Sequence, residues 1–349
     1  MGPSGSPYAQ LLEPRPVNGA PLVMCVANQK GGVGKTTVAV NAGAALAQRG
    51  HSVLLVDLDP QANATTGLGI DHRAQERSSY DLVMGAATLD EVSQKTLVDN
   101  LLCVPGSVDL AGAEVELVSE SEREYKLANA LGPRPPHDVV LIDCPPSLGL
   151  LTLNALTAAR DLLAPIQCEY YALEGLGQLL RTAERVRQGL NPALRLSGLV
   201  LTMYDARTRL SSQVSDEIRE HFGPSVMKTV VPRSVRLSEA PSFGEPVITL
   251  DRSSRGAIAF RLLAGEIEER YGLTPRGAKA ETLRPPKPAN GASAAKPGPD
   301  GRGYGVPTAS PTDIDRNWPR GQPWAREPKR KIDLEQDEEA LMASEWVRD

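Results

Sequence analysis

Apolar residues along this chain form short continuous runs, and segments with helical periodicity separate them. Continuous runs of this length are typical of strands that are buried on both faces of a sheet. The strand-like runs are Leu22–Ala27, Ser52–Asp57, Val139–Asp143, Asp161–Ile166, Leu196–Thr202 and Val226–Val231. The helical segments are Lys35–Arg49, Glu120–Leu131, Leu150–Ala159, Leu173–Gly189 and Leu210–Phe222. The alternation predicts an α/β fold, with a single doubly wound, mostly parallel sheet and helices on both faces.

The periodic pattern is confined to the middle of the chain, so the sequence divides into three zones. Residues 1–19 contain Pro and Gly without an apolar run, and we predict a flexible leader. Residues 20–273 hold the strand–helix alternation and form the predicted domain. Residues 274–349 are rich in Pro, Gly and scattered charge, which predicts a disordered tail. Within that tail, Ile332–Val347 has the composition of a short acidic helix.

Composition narrows the classes of partner. Hydrophobic residues make up 41% of the 349 residues and aromatic residues only 4%, so the predicted core is mostly aliphatic. The formal net charge of −5 means that any nucleic-acid binding must come from a local basic patch. No run of 18 apolar residues occurs, so we expect no membrane span.

The four cysteines, at positions 25, 103, 144 and 168, are far apart in the sequence. They form no CxxC pair and no Cys/His cluster, so we expect neither a disulfide framework nor a zinc site. Buried thiols in a reducing cytoplasm are the simpler interpretation. Cys144 has no adjacent His or basic residue, which favours a packed thiol over a nucleophile.

The strongest chemical signal is the glycine-rich segment 28–37, Asn-Gln-Lys-Gly-Gly-Val-Gly-Lys-Thr-Thr. It follows an apolar strand and opens a helix, which is the context of a phosphate-binding loop. Its glycines let main-chain N–H groups turn toward anionic oxygens, and the helix N-terminus adds partial positive charge. In such a loop Lys35 contacts the β- and γ-phosphates, and Thr36 gives its hydroxyl to Mg²⁺. The spacing departs from the usual pattern, because Gln29 stands at the first glycine and Lys30 is an additional lysine.

Carboxylates end two of the predicted strands. Asp57 and Asp59 follow the apolar run that begins at Val53, and Asp143 ends the run that begins at Val139. Acids at the carboxyl ends of parallel strands face the ligand crevice. Two prolines follow Asp143 and are expected to stop the strand and stiffen the next loop.

The octapeptide Lys-Gly-Gly-Val-Gly-Lys-Thr-Thr resembles the deviant Walker A box of the ParA/MinD/nitrogenase-iron-protein ATPases. The resemblance implies ATP and Mg²⁺, with Thr36, Asp57 and Asp143 serving the metal. It implies catalytic roles for Asp59, which would orient the attacking water, and for Lys30 and Lys35. Lys30 would reach the nucleotide of a second subunit, so the ATP form would be a homodimer. The implied nucleotide contacts are Lys30, Gly31, Gly32, Val33, Gly34, Lys35, Thr36, Thr37, Met203, Pro232 and Arg233.

Later segments resemble the chromosomal ParA, or Soj, branch of that superfamily. They are residues 61–69, 146–156, 167–175, 201–208 and 231–242, and the resemblance covers about residues 21–272. It implies a cytoplasmic, nucleoid-associated protein that binds double-stranded DNA without sequence preference through Arg207 and Arg236. It also implies a ParB-type centromere-binding partner. Two positions depart from the family pattern, Ala62 where glycine is usual and Ser234 where asparagine is usual.

Other functions of the superfamily stay open at this point. A MinD-like membrane-associated ATPase would carry a basic amphipathic C-terminal helix, whereas residues 332–347 are acidic and anionic lipid would repel them. An iron–sulfur reductase would need paired ligand cysteines, and the flanks of Cys103 and Cys144 do not match. A small-molecule kinase or synthetase is a further alternative.

Overall fold

A computed structural model describes residues 11, 12, 16, 17, 19–169 and 172–275, with the side chains of residues 172–174 excepted. Most of the predicted leader, 1–19, and nearly all of the predicted tail, 274–349, lie outside the described residues. So does the possible acidic helix Ile332–Val347. None of the described helices is long and apolar enough to cross a membrane.

The described part of the chain contains one eight-stranded sheet. Its strands are β1 (Leu22–Val26), β2 (Val53–Asp57), β3 (Gln94–Lys95), β4 (Leu101–Val104), β5 (Val139–Asp143), β6 (Asp161–Gln167), β7 (Arg195–Tyr204) and β8 (Val226–Pro232). The spatial order is β3-β4-β2-β5-β1-β6-β7-β8. All neighbouring pairs are parallel except β3 and β4. The predicted fold class is confirmed.

Helices connect the strands. They are α1 (Lys35–Gln48), α2 (Asn63–Gly67), α3 (Ser79–Met84), α4 (Leu89–Val92), α5 (Leu110–Glu116), α6 (Lys126–Leu131), α7 (Leu150–Ala158), α8 (Ala172–Gly189), α9 (Arg209–Phe222), α10 (Val235–Glu239), α11 (Val247–Leu250) and α12 (Arg255–Tyr271). Short 3₁₀ turns cover Leu117–Ser119, Gly223–Ser225 and Ala240–Phe243.

Two hydrophobic layers cover the two faces of the sheet. Successive residues of β5 alternate between them, so Val140 belongs to one layer and Leu141 to the other. This alternation is what a strand buried on both faces requires. Two residues of the predicted leader, Leu11 and Val17, are also buried, one in each layer. The four cysteines are buried, as predicted.

The predicted elements agree with the structure at most strand positions, with ends that differ by one or two residues. The predicted helix Glu120–Leu131 is wrong in its first half, because α6 begins only at Lys126. Glu122 has a φ of 50°, a left-handed conformation that cannot continue a right-handed helix. The sequence analysis also missed β3, β4 and the long helix α12. β4 has only four residues, too few for a clear periodicity.

The topology brings the acidic strand ends together. β5 pairs with both β1 and β2, and Asp57 is the register partner of Asp143. The loop that begins with Asn28 leaves β1 beside them. The carboxyl ends of these three central strands therefore form one edge, where ligands bind in open α/β sheets.

Candidate nucleotide site

The glycine-rich loop is held in place from below by two buried side chains. Asn28 donates from Nδ2 to the carbonyl oxygen of Pro165 at 2.7 Å, and its Oδ1 accepts from the main-chain nitrogen of Lys30 at 3.1 Å. Thr202 donates from Oγ1 to the carbonyl oxygen of Val33 at 2.8 Å. These bonds tie the loop to β6 and β7, so the loop is preorganised.

Two glycines of the loop adopt backbone conformations that other residues rarely take. Gly32 has a φ of 74° and Gly34 a φ of 90°. Gly34 is the N-cap of α1, so the left-handed turn leads directly into the helix. A side chain at either position would strain the loop, which explains why both positions are glycine.

The two lysines of the loop lie in different surroundings. Lys35 is buried, and its Nζ lies 3.5 Å from the carbonyl oxygen of Lys30. Burial lowers the pKa of Lys35, and the negative charge of Asp143 partly offsets this effect. The Lys30 ammonium is more exposed and lies 3.6 Å from Oε2 of Glu169. Lys35 therefore faces the cavity of its own chain, whereas Lys30 is paired outside it.

Asp57 is fully buried and serves the surrounding loop through both oxygens. Oδ2 accepts from the main-chain nitrogen and the hydroxyl of Thr65, at 2.9 and 2.7 Å. Oδ1 accepts from the main-chain nitrogen of Asp59 at 3.1 Å. Burial raises the pKa of Asp57 to about 6, although these three donors lower it.

Asp143 is equally buried, but neither of its carboxylate oxygens has a hydrogen-bond partner among the residues that the structure describes. Burial and the charge of Asp57 raise the pKa of Asp143 well above its usual range. The Thr36 hydroxyl lies close enough to lower that pKa, without the geometry of a hydrogen bond. A buried carboxylate without a partner is costly unless a cation or a donor completes it.

These oxygens fit a Mg²⁺ site that depends on phosphate. Among residues 11–275, as far as they are described, no three His, Cys, Asp or Glu side chains are grouped to hold a metal on their own. Mg²⁺ commonly binds one or two protein oxygens together with substrate phosphates and water. The unpartnered Asp143 carboxylate and the Thr36 hydroxyl supply such oxygens. Both carboxylate oxygens of Asp57 already accept hydrogen bonds from main-chain nitrogens, so they are less available to a metal than those of Asp143.

Asp59 lies in the loop that follows β2, at the same edge of the sheet as Asp57 and Asp143. Its Oδ1 accepts from the main-chain nitrogen of Gln61 at 2.9 Å, and the side chain lines the cavity at the phosphate loop. A carboxylate held in this way can orient a water molecule beside a phosphate.

The cavity at the phosphate loop has a volume of about 370 Å³. Eight predicted site residues line it, namely Gly31, Gly32, Gly34, Lys35, Thr36, Thr37, Asp59 and Met203. An adjoining cleft of about 160 Å³ is lined by two further predicted nucleotide contacts, Pro232 and Arg233, together with Met203 and Ser234. Lys30, Val33, Asp57 and Asp143 do not line either space; Val33 and the two aspartates lie beneath, fully or almost fully buried.

Sequence reasoning missed several residues of the cavity. Asn41 lines it, donates from Nδ2 to the carbonyl oxygen of Thr37 at 2.9 Å, and accepts from the nitrogen of Val247 at 2.8 Å. Glu245 and Pro246 also line it. Glu245 and Pro246 lie more than 200 positions after the phosphate loop, and no spacing in the sequence connects the two segments.

Both departures from the family pattern lie at the site. Ala62 has a φ of 50°, so the position where glycine is usual does take a left-handed conformation. For alanine that conformation costs on the order of 1 kcal/mol. Ser234 is the N-cap of α10 and lines the smaller cleft.

The two predicted DNA-binding arginines are exposed, and each is paired with carboxylates. Arg207 makes two hydrogen bonds to Asp205, at 2.9 and 2.8 Å, and these lower the pKa of Asp205 to about 2. Arg236 lies 3.2 Å from Glu239 and 3.5 Å from Asp251. Their two loops adjoin, because the nitrogen of Arg233 donates to the carbonyl oxygen of Tyr204 at 3.0 Å.

Comparison with known proteins gives consistent matches. A family profile described as an AAA domain matches residues 22–196. The chromosome partitioning protein ParA of Caulobacter vibrioides is 51% identical over 251 residues, which cover 71% of this chain and 94% of that protein. The sporulation initiation inhibitor protein Soj of Bacillus subtilis is 52% identical over 246 residues, covering 70% of this chain and 97% of that protein.

A solved structure matches over the same region. The Mycobacterium smegmatis protein described as cobyrinic acid a,c-diamide synthase, with bound ADP and magnesium, is 41% identical and has a TM-score of 0.64. The match covers 73% of this chain and 98% of that one. The nucleotide and the metal in its description belong to that protein.

Proposed function

This chain belongs to the ParA/Soj family of chromosome-partitioning ATPases, and on that basis we propose that its ATP-bound form is a sandwich dimer that holds DNA non-specifically. In this proposal a ParB-type centromere-binding protein stimulates ATP hydrolysis and releases the subunits from DNA. The cycle would drive the segregation of a chromosome or plasmid. The protein would act in the cytoplasm at the nucleoid.

The observation that carries the dimer proposal is the position of Lys30. Its side chain does not line the cavity of its own chain, and its ammonium pairs with Glu169 on the loop after β6. The pair is half-exposed, so solvent screens it and little free energy holds the lysine there. A triphosphate presented by a second subunit is a stronger partner for this cation, which ties association to the γ-phosphate.

ATP and Mg²⁺ are the substrate and cofactor of this ATPase. The main-chain N–H groups of the loop, together with Lys35 and Thr37, would bind the phosphates. Thr36 and Asp143 would supply oxygens to the metal. Mg²⁺, when bound, neutralises charge that develops on the phosphate oxygens. Lys35 supplies a buried cation at the same place, and Asp59 would orient the attacking water. Met203, Pro232 and Arg233 would receive the base.

The proposed DNA contacts are Arg207 and Arg236. On one subunit they are few and partly neutralised by Asp205, Glu239 and Asp251, on a chain whose net charge is −5. Dimerisation would double the patch on one rigid body, so the second set of contacts would bind at high effective concentration. Contacts of this kind bind phosphates and do not read base sequence.

The proposal is tested by measuring the ATPase rate alone, with random-sequence duplex DNA, and with the cognate centromere-binding protein added to both. The proposal predicts slow basal turnover and the highest rate when DNA and partner are present together. Asp59→Ala is the matched control, since it should bind ATP and stay on DNA while losing turnover about 100-fold or more. Equal DNA binding in ATP and ADP, or no response to the partner, would overturn the proposed cycle.

A further inference from the structure

The segment from Val108 to Val118, which contains α5 and the start of the 3₁₀ turn that follows it, carries apolar residues on both faces. Leu110, Ala113 and Leu117 point inward and are fully buried in the core. Val108, Ala111, Val115 and Val118 follow the same helical spacing on the opposite side and are exposed. The three valines are 71%, 74% and 59% exposed. We call these four residues the valine stripe.

An exposed stripe of this kind is unusual for a surface helix. The outer face of such a helix normally carries polar residues, and a helix that is apolar on both faces is normally covered. Contiguous exposed apolar residues with a polar rim mark interaction surfaces. The valine stripe is therefore a candidate docking face.

The rim of the valine stripe is acidic. Between residues 108 and 126 the chain carries six carboxylates and only two cations, Arg123 and Lys126. Both cations are already used by carboxylates of the same segment, Arg123 by Glu124 and Lys126 by Glu120. The surroundings of the stripe therefore favour a cationic partner.

The same segment contacts both loops that carry the site's carboxylates. Just before α5, the nitrogen of Gly106 donates to Oγ1 of Thr65 at 2.8 Å, and Thr65 in turn holds Asp57. A Cβ on Gly106 would lie 3.0 Å from Cγ of Asp57 and 3.0 Å from the carbonyl oxygen of Asp59, so a larger residue would press on the loop that carries both aspartates.

The second contact is made by Glu114, in the middle of α5. Its Oε1 accepts a long hydrogen bond of 3.5 Å from the nitrogen of Leu151, in the first turn of α7. It also lies against Gly149, the N-cap of α7. The loop between β5 and α7 begins at Asp143. A displacement of α5 would therefore be transmitted to the loop of Asp57 and to the loop of Asp143.

We propose that the valine stripe is where a partner segment combining apolar and cationic side chains docks, and that this docking stimulates hydrolysis. The inference rests on the proposed function, in which that partner is the centromere-binding protein. A second copy of this chain fits less well, because a twofold contact would bring the same acidic rims against each other. The partner acts on Asp57 and Asp143 through α5, without entering the cavity.

The test is the double variant Val115→Asp/Val118→Asp in the full chain, compared with Leu262→Asp. Leu262 lies on α12, is 60% exposed and serves as a matched apolar-to-acid control. Binding of the fluorescently labelled cognate centromere-binding protein is followed by anisotropy, and stimulated ATPase is measured in parallel. The stripe variant should bind at least roughly tenfold more weakly and lose stimulation, with unchanged basal turnover. The control should behave as wild type.

Further measurements separate the alternatives. Glu122→Lys, an exposed change outside the stripe itself, should weaken the same binding and reduce its salt dependence. Thermal melting checks that all variants fold, and exposed sites are expected to change stability little. Wild-type binding and stimulation by the stripe variant would overturn the docking site while leaving the proposed cycle intact. Loss of ATP-dependent dimerisation in the stripe variant would also overturn it, since the stripe would then be a self-interface. A wild-type protein that ignores the partner would instead defeat the proposed function.

Discussion

Asp57 accepts two hydrogen bonds from Thr65, one from the main-chain nitrogen and one from the hydroxyl, on a single carboxylate oxygen. The same hydroxyl accepts from the nitrogen of Gly106. Thr65 thus joins the loop after β2 to the loop after β4. This junction lies directly under the candidate catalytic loop that carries Asp59.

Thr65→Val should weaken that junction. The variant keeps the shape of the side chain but leaves Asp57 and the Gly106 nitrogen each without one buried partner. We expect a loss of about 1–3 kcal/mol in the free energy of unfolding, measured by urea denaturation. Thr66→Val is the control, because Thr66 is an exposed residue of α2 and its hydroxyl bonds to nearby groups, the carbonyl oxygen of Ala62 and Nδ1 of His72, and not to Asp57 or Gly106. Equal losses in both variants would argue against the junction.

Asp143→Asn and Asp57→Asn should separate metal binding from loop support. Asp143 has two unpartnered oxygens, so its amide variant should raise the Mg²⁺ concentration for half-maximal ATPase more than about tenfold. In Asp57→Asn the amide must face a donor whichever way it is turned, since both oxygens accept from N–H groups. That variant should lose stability and keep its Mg²⁺ requirement. A similar Mg²⁺ shift in both variants would place Asp57 in the metal shell after all.

Arg236→Glu should lose DNA while keeping ATP binding and dimerisation. The change removes a cation and also frees Glu239 and Asp251 to repel phosphate. We expect affinity for random duplex DNA to fall more than about tenfold at low salt, and the wild-type affinity to fall steeply as salt is added. Arg185→Glu, on the exposed side of α8, makes the same change in net charge and should bind normally. An equal effect of the two variants would show that only net charge matters.

Asp161 should make stability depend on pH. It is fully buried at the start of β6, accepts from the hydroxyl of Ser197, and burial raises its pKa to about 6. Because the folded protein holds this proton more tightly than the unfolded chain, its contribution to stability is fully present only below about pH 4 and is lost as the pH rises through about 6. The loss approaches about 3 kcal/mol. Urea denaturation at pH 4.5 and 7 should show a smaller difference for Asp161→Asn than for wild type, and an unchanged difference would contradict this.

The sequence predicted which residues carry the chemistry of the site better than it predicted the contacts that hold them in place. The spacing of Gly32 and Gly34 follows from backbone geometry, so the phosphate loop could be identified directly. Asp57 and Asp143 look alike in the sequence, since each ends an apolar run. Only the three-dimensional contacts distinguish them: Thr65 and the nitrogen of Asp59 donate hydrogen bonds to Asp57, whereas no group in the described part of the chain donates one to Asp143. Nothing in the sequence indicated that Glu169 pairs with Lys30 or that Asn41 binds the nitrogen of Val247, since both contacts depend on how distant segments pack.

The buried strands were also easier to predict from the sequence than the helix that covers them, α12. Strands such as Val139–Asp143 were predicted to the residue, because burial on both faces leaves an unbroken apolar run. The helix α12 was missed, although its buried residues, among them Phe260 and Leu263, complete one layer of the core. Exposed Ile258 and Leu262 interrupt its polar face and weaken the helical pattern.

The central claim is that Lys30 links ATP to association of two subunits, and multi-angle light scattering of three proteins tests it most directly. Wild type, Lys30→Ala and Lys35→Ala are compared with ADP and with a non-hydrolysable ATP analogue, and nucleotide binding is measured separately. Lys35→Ala should lose nucleotide binding, because the phosphates lose their buried cation. Wild type should double its mass only with the ATP analogue, whereas Lys30→Ala should bind ADP normally and stay a monomer with either nucleotide. Normal ATP-dependent dimers of Lys30→Ala would contradict the claim.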